Sequence, residues 1–133
     1  MTHTVKNIVV SLAASVLAVL VTPVLADMNS CKEACTKCAT VCKDTLKHCE
    51  KMGGKHADKA HINALKDCIA ICEQSADFMA RGSASHAKLC GVCEAVCNQC
   101  ATSCDVFKDD KDMKNCADEC RRCAAECKKM AGG

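Results

Sequence analysis

The sequence contains no tryptophan, no tyrosine, only two phenylalanines and a single proline. Without aromatic rings to interleave with charge, and with 18 basic residues nearly matched by 16 acidic ones, it offers no basic, aromatic-studded face for nucleic acid. The lone proline is Pro23, so every later segment is free of the residue that breaks helices. β-Branched residues are sparse and no stretch alternates apolar with polar residues, which argues against strands. Ordinary core residues are scarce as well. Beyond residue 26, Leu, Ile, Val and Phe number only 12, below the roughly 20% level at which a globular chain becomes doubtful. A core built from these alone would be marginal.

The N-terminus has a separate character. Lys6 gives a weakly positive start, residues 8–21 are an unbroken apolar and small-residue run, and Pro23 interrupts it. Val24-Leu25-Ala26 then supplies small residues at the −3 and −1 positions of a cleavage site. Residues 1–26 read as a secretory signal peptide. The run is too short for a spanning helix, which needs about 20 residues, so no membrane attachment is expected after cleavage. The leader has no twin arginine, so the route expected is general secretion of an unfolded chain, with metal loading after export. The expected location is the periplasm, and residues 27–133 form the one remaining domain.

What fills that domain is cysteine. All 16 lie beyond residue 30. Cys90, Cys93, Cys97, Cys100 and Cys104 follow one another at steps of 3, 4, 3 and 4. Cys116, Cys120, Cys123 and Cys127 continue the pattern between Met113 and Met130. Cys31, Cys35, Cys38, Cys42 and Cys49 form a third stripe, with Thr45 or Leu46 at the skipped level. This is the spacing of helix seams that face partner helices. A fourth helix carries a mixed seam of Leu65, Cys68, Cys72, Ser75 or Ala76, and Met79.

The helices are expected over Ser30 to Met52, Asp58 to Arg81, Ser85 to Phe107 and Asp112 to Met130. Asn29 or Ser30 would cap the first and Asp58 the second. Gly53-Gly54 and Gly82 would end them. The joints are short, and short joints make neighbours antiparallel. The fold class is therefore all-α, an antiparallel up-down-up-down four-helix bundle with a cysteine-lined core.

Helical pairs at i+3 and i+4 hold their Cβ atoms about 5–6 Å apart, so two thiolates can swing onto one ion. Thiolates are soft and select Cu(I), zinc or iron–sulfur clusters. Iron–sulfur runs use other spacings. Zinc held by four thiolates leaves two negative charges per site, and the seams contain no Lys or Arg to meet them. One Cu(I) per thiolate makes a neutral string, so a multinuclear Cu(I) array leads, with multiple ions per chain. The topology places His48, Met52, His56, His61 and Met113 at one end of the bundle, and Met79, His86 and Met130 at the other. Of these, His48, Met52 and Met113 are the better candidates to touch metal, and their weaker binding suits entry and exit.

The runs CGVCEAVCNQC and CADECRRCAAEC resemble those of the bacterial copper storage proteins, Cys-rich four-helix bundles that hold many Cu(I) ions internally. The resemblance extends over residues 27–133. It implies that Cys31, Cys35, Cys38, Cys42, Cys49, Cys68, Cys72, Cys90, Cys93, Cys97, Cys100, Cys104, Cys116, Cys120, Cys123 and Cys127 are copper ligands. It also implies storage in place of catalysis, copper ions as the bound partner, and homo-oligomers as a form open to the family; the sequence does not identify a copper donor or acceptor protein.

Three other readings stay open at this point. An exported chain with an even cysteine count can be a disulfide-stapled structural protein. Bridge geometry opposes this within helices, because bridged Cβ atoms lie about 3.5–4.5 Å apart, but bridges between helices are allowed. A metallothionein-like zinc or cadmium sink uses the same thiols. A thiol oxidoreductase would single out one C-x-x-C pair at a helix N-terminus, and no pair here is singled out; the chain is therefore read as not an enzyme.

Overall fold

The structure is a computed structural model that describes residues 22–132. Four long helices account for nearly all of it: α1 (Pro23–Met52), α2 (Lys59–Ala80), α3 (His86–Cys104) and α4 (Lys111–Gly132). One 3-10 turn, Gly54–Ala57, lies between α1 and α2. Among the described residues there is no strand.

Local chemistry sets the helix ends. Pro23 stands in the first turn of α1, where its missing N–H has no intrahelical partner to lose. Gly53, at φ +68°, turns the chain out of α1 and donates its N–H to the Cys49 carbonyl at 3.0 Å. Asp58 caps α2, its side chain accepting the Ala60 N–H at 2.9 Å. At the far end of α2, Gly82 takes φ +63°. There Gly82 N–H reaches the Met79 carbonyl at 3.1 Å and Ser83 N–H the Phe78 carbonyl at 2.9 Å, the paired closure that a left-handed glycine permits. Asp110 opens α4, with Oδ1 accepting the amides of Asp112 at 2.9 Å and Met113 at 3.2 Å.

Two boundaries differ from the sequence expectation by more than two residues. α1 starts at Pro23, not at Ser30. Nothing between them opposes a helix, and the Ser30 hydroxyl, freed from capping, donates to Glu126 Oε2 on α4 at 3.1 Å. α3 stops at Cys104, short of Phe107. The chain turns there, Phe107 N–H bonding the Cys104 carbonyl at 3.1 Å. The turn lays the Phe107 ring against His56 and His61, with centroids 4.1 and 5.0 Å apart. The expected leader, residues 1–26, lies outside the described residues except for its last five positions. Among the described residues no helix is long and apolar enough to cross a membrane.

Each helix packs against its two neighbours in the order α1–α2–α3–α4, and α4 closes back on α1. The diagonal pairs make no backbone approach. The result is the antiparallel four-helix bundle, open along its axis for side chains alone. Leu65 and Met113 are the largest fully buried side chains. Almost everything else inside is Cys or Ala, with Ile62, Ile69, Ile71 and Val96 packed around the rim. Surface ion pairs such as Lys43–Glu73 and Lys37–Glu119 tie adjacent helices, each worth at most about 1 kcal/mol.

The helix-ending glycine and a mid-helix glycine should respond oppositely to the same change. Gly82→Ala is expected to lose roughly 1 kcal/mol, because alanine resists a left-handed φ. Gly91→Ala lies within α3, and its new methyl meets only Ala131 Cβ at 3.7 Å. It is expected to gain up to about 1 kcal/mol. Equilibrium urea unfolding of both variants checks this, and shifts of the same sign contradict it.

Candidate metal centre

The seams read from the sequence converge. All sixteen cysteines are free thiols, none more than 1% exposed. α1 and α3 supply five each, α4 four and α2 two. Because every third or fourth residue returns to the same helix face, each seam presents a column of sulfur to the axis. Antiparallel packing then interleaves the columns. Cys42 Sγ lies 3.7 Å from Cys68, 3.7 Å from Cys116 and 3.6 Å from Cys120. Cys72 Sγ lies 3.7 Å from Cys93 and 3.5 Å from Cys97. Cys35 sits 3.6 Å from Cys127 and 3.7 Å from Cys123.

These contacts gather into groups whose sulfurs all lie within 4.8 Å of one another. From one end they run Cys31–Cys90–Cys127, then Cys35–Cys93–Cys123–Cys127, then Cys38–Cys72–Cys97–Cys123. The series continues through Cys38–Cys42–Cys68–Cys120 to Cys42–Cys100–Cys116–Cys120. Each group shares at least one sulfur with the next. Cys104 extends the series beside Cys100 and Cys116. Such a ladder can hold several soft ions in a row, with shared thiolates bridging adjacent ions.

Crowding controls the protons. Cys38 is held below the ordinary thiol range by its contacts with Cys120 and then Cys123. Cys120 is pushed above that range by its contacts with Cys100, Cys116, Cys38 and Cys42. Cys72 is pushed up in the same way by Cys123 and Cys35. A thiolate that forms in the ladder takes S–H donors from its neighbours and so keeps their protons in place. Ionising the whole set requires cations, and the protein provides none. Among the described residues no Lys or Arg is buried; the buried polar side chains are Thr45, His61, Ser75 and Glu119. Thr45 bonds back to the Val41 carbonyl at 2.9 Å. Glu119 faces Lys37 and Arg122 at the surface. Ser75, which takes the next seam position after Cys72, has a buried hydroxyl with no hydrogen-bond partner.

At the Gly53 end the ligand type changes. Cys49 Sγ stands 3.4 Å from His61 Nε2 and 3.5 Å from Met113 Sδ. Ser103 Oγ holds the other ring nitrogen of His61 at 2.6 Å, which turns Nε2 toward the sulfur. Burial, helped by the charges of Cys116 and Asp110, pushes the Cys49 thiol up to about 11. Burial also pushes His61 below the usual imidazole range. The pair is therefore neutral, a soft donor set and not an activated nucleophile.

The structure thus brings the sixteen cysteines together and adds Met113 to them. His48 touches no sulfur and lies between Asp110, 2.7 Å from its Nε2, and Asp112, 3.2 Å from its Nδ1. Met52 is 56% exposed. Met79 and Met130 are the last buried side chains of α2 and α4, beyond the cysteines at the opposite end. Sequence reasoning ranked His61 below His48; the signal that separates them is Ser103, whose position opposite His61 depends on how α3 packs on α2. Asp110, in the joint between α3 and α4, organises this end of the bundle through both of its carboxylate oxygens.

Comparison with known proteins follows the same geometry. No curated protein matches the sequence. Among solved structures, the chain is similar to a Nitrosospira multiformis protein, with 37% identity, a TM-score of 0.75, and 80% of this chain and 96% of that one covered. It is similar to the Cu(I)-bound copper storage protein BsCsp3 at 28% identity and TM-score 0.74, over 79% of this chain and 98% of that one. It is also similar to the apo form of copper storage protein 3 from Bacillus subtilis, at 29% identity and TM-score 0.68, over 77% and 97% of the two chains. The copper storage protein family profile matches residues 25–132, and on that match, which takes in every cysteine of the ladder, this chain belongs to the copper storage protein family.

Proposed function

We propose that the protein stores Cu(I) as a multinuclear thiolate array inside the bundle, at about one ion per cysteine. The sixteen cysteines are the ligands, and Met113 and His61 complete coordination at the Cys49 end. His48 and Met52 lie outside this end, where weaker donors suit passage of copper in and out. The observation that carries the reading is the burial of sixteen linked thiols with no buried Lys or Arg beside them. A univalent ion per thiolate leaves the interior neutral. A divalent ion on four thiolates leaves two negative charges at every level, and burying such charge without compensation is costly. That argument favours copper over a zinc or cadmium sink, and the Cu(I)-bound state of BsCsp3 supports it.

Residues 1–26 act as a secretory leader that delivers the chain to the periplasm. Cleavage after Ala26 would remove only the first turn of α1 and none of the cysteine seam. The family profile starting at residue 25 is in keeping with that division. Storage, not catalysis, is the role: among the described residues no cysteine pair is set apart from the others, and the Cys49–His61 contact is neutral.

Titration of reduced protein with Cu(I) against a competing chelator is expected to saturate near one ion per cysteine. Saturation at one or two ions would refute the array. Because a buried core without cations keeps most of its thiols protonated, loading at neutral pH is expected to release protons in a number approaching that of the cysteines engaged. A pH-stat measures this, and negligible release contradicts it. The preformed ladder gathers thiols that the unfolded chain leaves scattered and so binds copper more tightly, and the melting temperature is expected to rise with loading; an unchanged transition in calorimetry counts against the account.

A further inference from the structure

Outside the thiol ladder, at the end where α1 meets the α3–α4 joint, two imidazoles converge on one carboxylate oxygen. His48 Nε2 lies 2.7 Å and His56 Nε2 3.0 Å from Asp110 Oδ2. We propose that His48, His56 and Asp110 form a separate site for one borderline divalent cation of the zinc class, distinct in ligand type from the thiolate array.

The geometry is that of a prepared ligand set. Asp110 Oδ1 is fixed by the amides of Asp112 and Met113, which leaves Oδ2 free to ligate. Asp112 Oδ2 holds His48 Nδ1 at 3.2 Å, so the nitrogen facing Asp110 is Nε2. A carboxylate on the far nitrogen of a metal-binding histidine is the usual orienting arrangement, and makes Asp112 a positioning residue. Phe107 lies against the His56 ring with centroids 4.1 Å apart and fixes its plane. His48, His56 and Asp110 are each under a quarter exposed. Burial raises the Asp110 carboxyl, but His48, the Met113 amide and His56 outweigh it and hold the group at about 2, so it stays ionised.

Tetrahedral zinc with bonds of about 2.0–2.1 Å separates its ligand atoms by roughly 3.3 Å. The two nitrogen-to-oxygen separations, 2.7 and 3.0 Å, need to open by well under 1 Å. An open surface groove lined by Met52, His56, Phe107, Lys108, Asp110 and Lys111 adjoins the site and admits water to the remaining position. Two nitrogens and one carboxylate oxygen suit zinc-class ions better than Cu(I), which prefers the sulfur behind them. One divalent ion would also join α1, the 3-10 turn and the start of α4 across the end of the bundle.

The test uses full protein first loaded with Cu(I), its copper content measured before any other metal is added. Zn²⁺ is then titrated from a buffered pool. One further ion per chain is expected, without loss of copper. His56→Gln and His48→Gln are each expected to weaken zinc at least tenfold, while Asp109→Asn, at an exposed carboxylate of the same joint, leaves it unchanged. Circular dichroism confirms that the variants keep their helices. Co²⁺ in place of Zn²⁺ is expected to give visible bands without sulfur charge-transfer absorption. Low copper before zinc addition would count against the storage reading alone, and the cobalt spectrum still decides the second site. No retained zinc, equal retention by the histidine variants, or thiolate bands from cobalt would overturn the proposal.

Discussion

Sixteen thiols packed at contact distance, with no cationic side chain among them, can be buried only if the set is close to neutral. Protons satisfy that condition in the empty protein and univalent metal satisfies it in the loaded one. The rest of the design follows from this requirement. Cysteine takes the seam positions that Leu and Ile fill in other bundles, so the interior is narrow and soft, with Leu65 and Met113 as its largest fully buried members. Protonated cysteine packs as a small hydrophobe, which lets the empty bundle fold before its cargo arrives.

The two ends of the bundle are not equivalent. At one, Met79 and Met130 extend the buried seam beyond the last cysteines. At the other, donor hardness grades outward: thiolates along the axis, then Cys49 with Met113 and His61, then His48 and His56 on Asp110. Asp110 holds this end together. One of its oxygens starts α4 through two backbone amides, and the other reaches across to α1 and the 3-10 turn. A single side chain therefore links helix capping to the chemistry of the bundle mouth.

The fold was legible in the sequence because its signals are periodic and local. The 3- and 4-residue steps of cysteine fix the buried face of each helix; Gly53 and Gly82 mark ends through backbone preference, and Asp58 through its capping side chain. The metal-binding interior followed from the same periodicity, since residues spaced that way on four antiparallel helices must meet at the axis. The start of α1 was not legible, because Ser30 has the look of a cap while its hydroxyl is used by Glu126, ninety-six positions further on. The end of α3 was missed because Phe107 keeps the seam spacing beyond Cys104, yet its ring belongs to His56 and His61. The pairing of Cys49 with His61 and the convergence on Asp110 depend on how two joints fold over one end, and no spacing rule encodes that. The orphaned Ser75 hydroxyl is likewise invisible in sequence; it breaks the sulfur column of α2 where a further thiol would have fitted the pattern.

The central claim is that univalent copper fills the bundle along its axis. Anomalous diffraction at the copper edge from crystals of fully loaded protein tests this most directly. The account predicts a continuous row of copper positions from the Cys31–Cys90–Cys127 level to Cys49, each between thiolates of different helices. Copper confined to the histidine-lined mouth or the outer surface, with the axial thiols left metal-free, would contradict it.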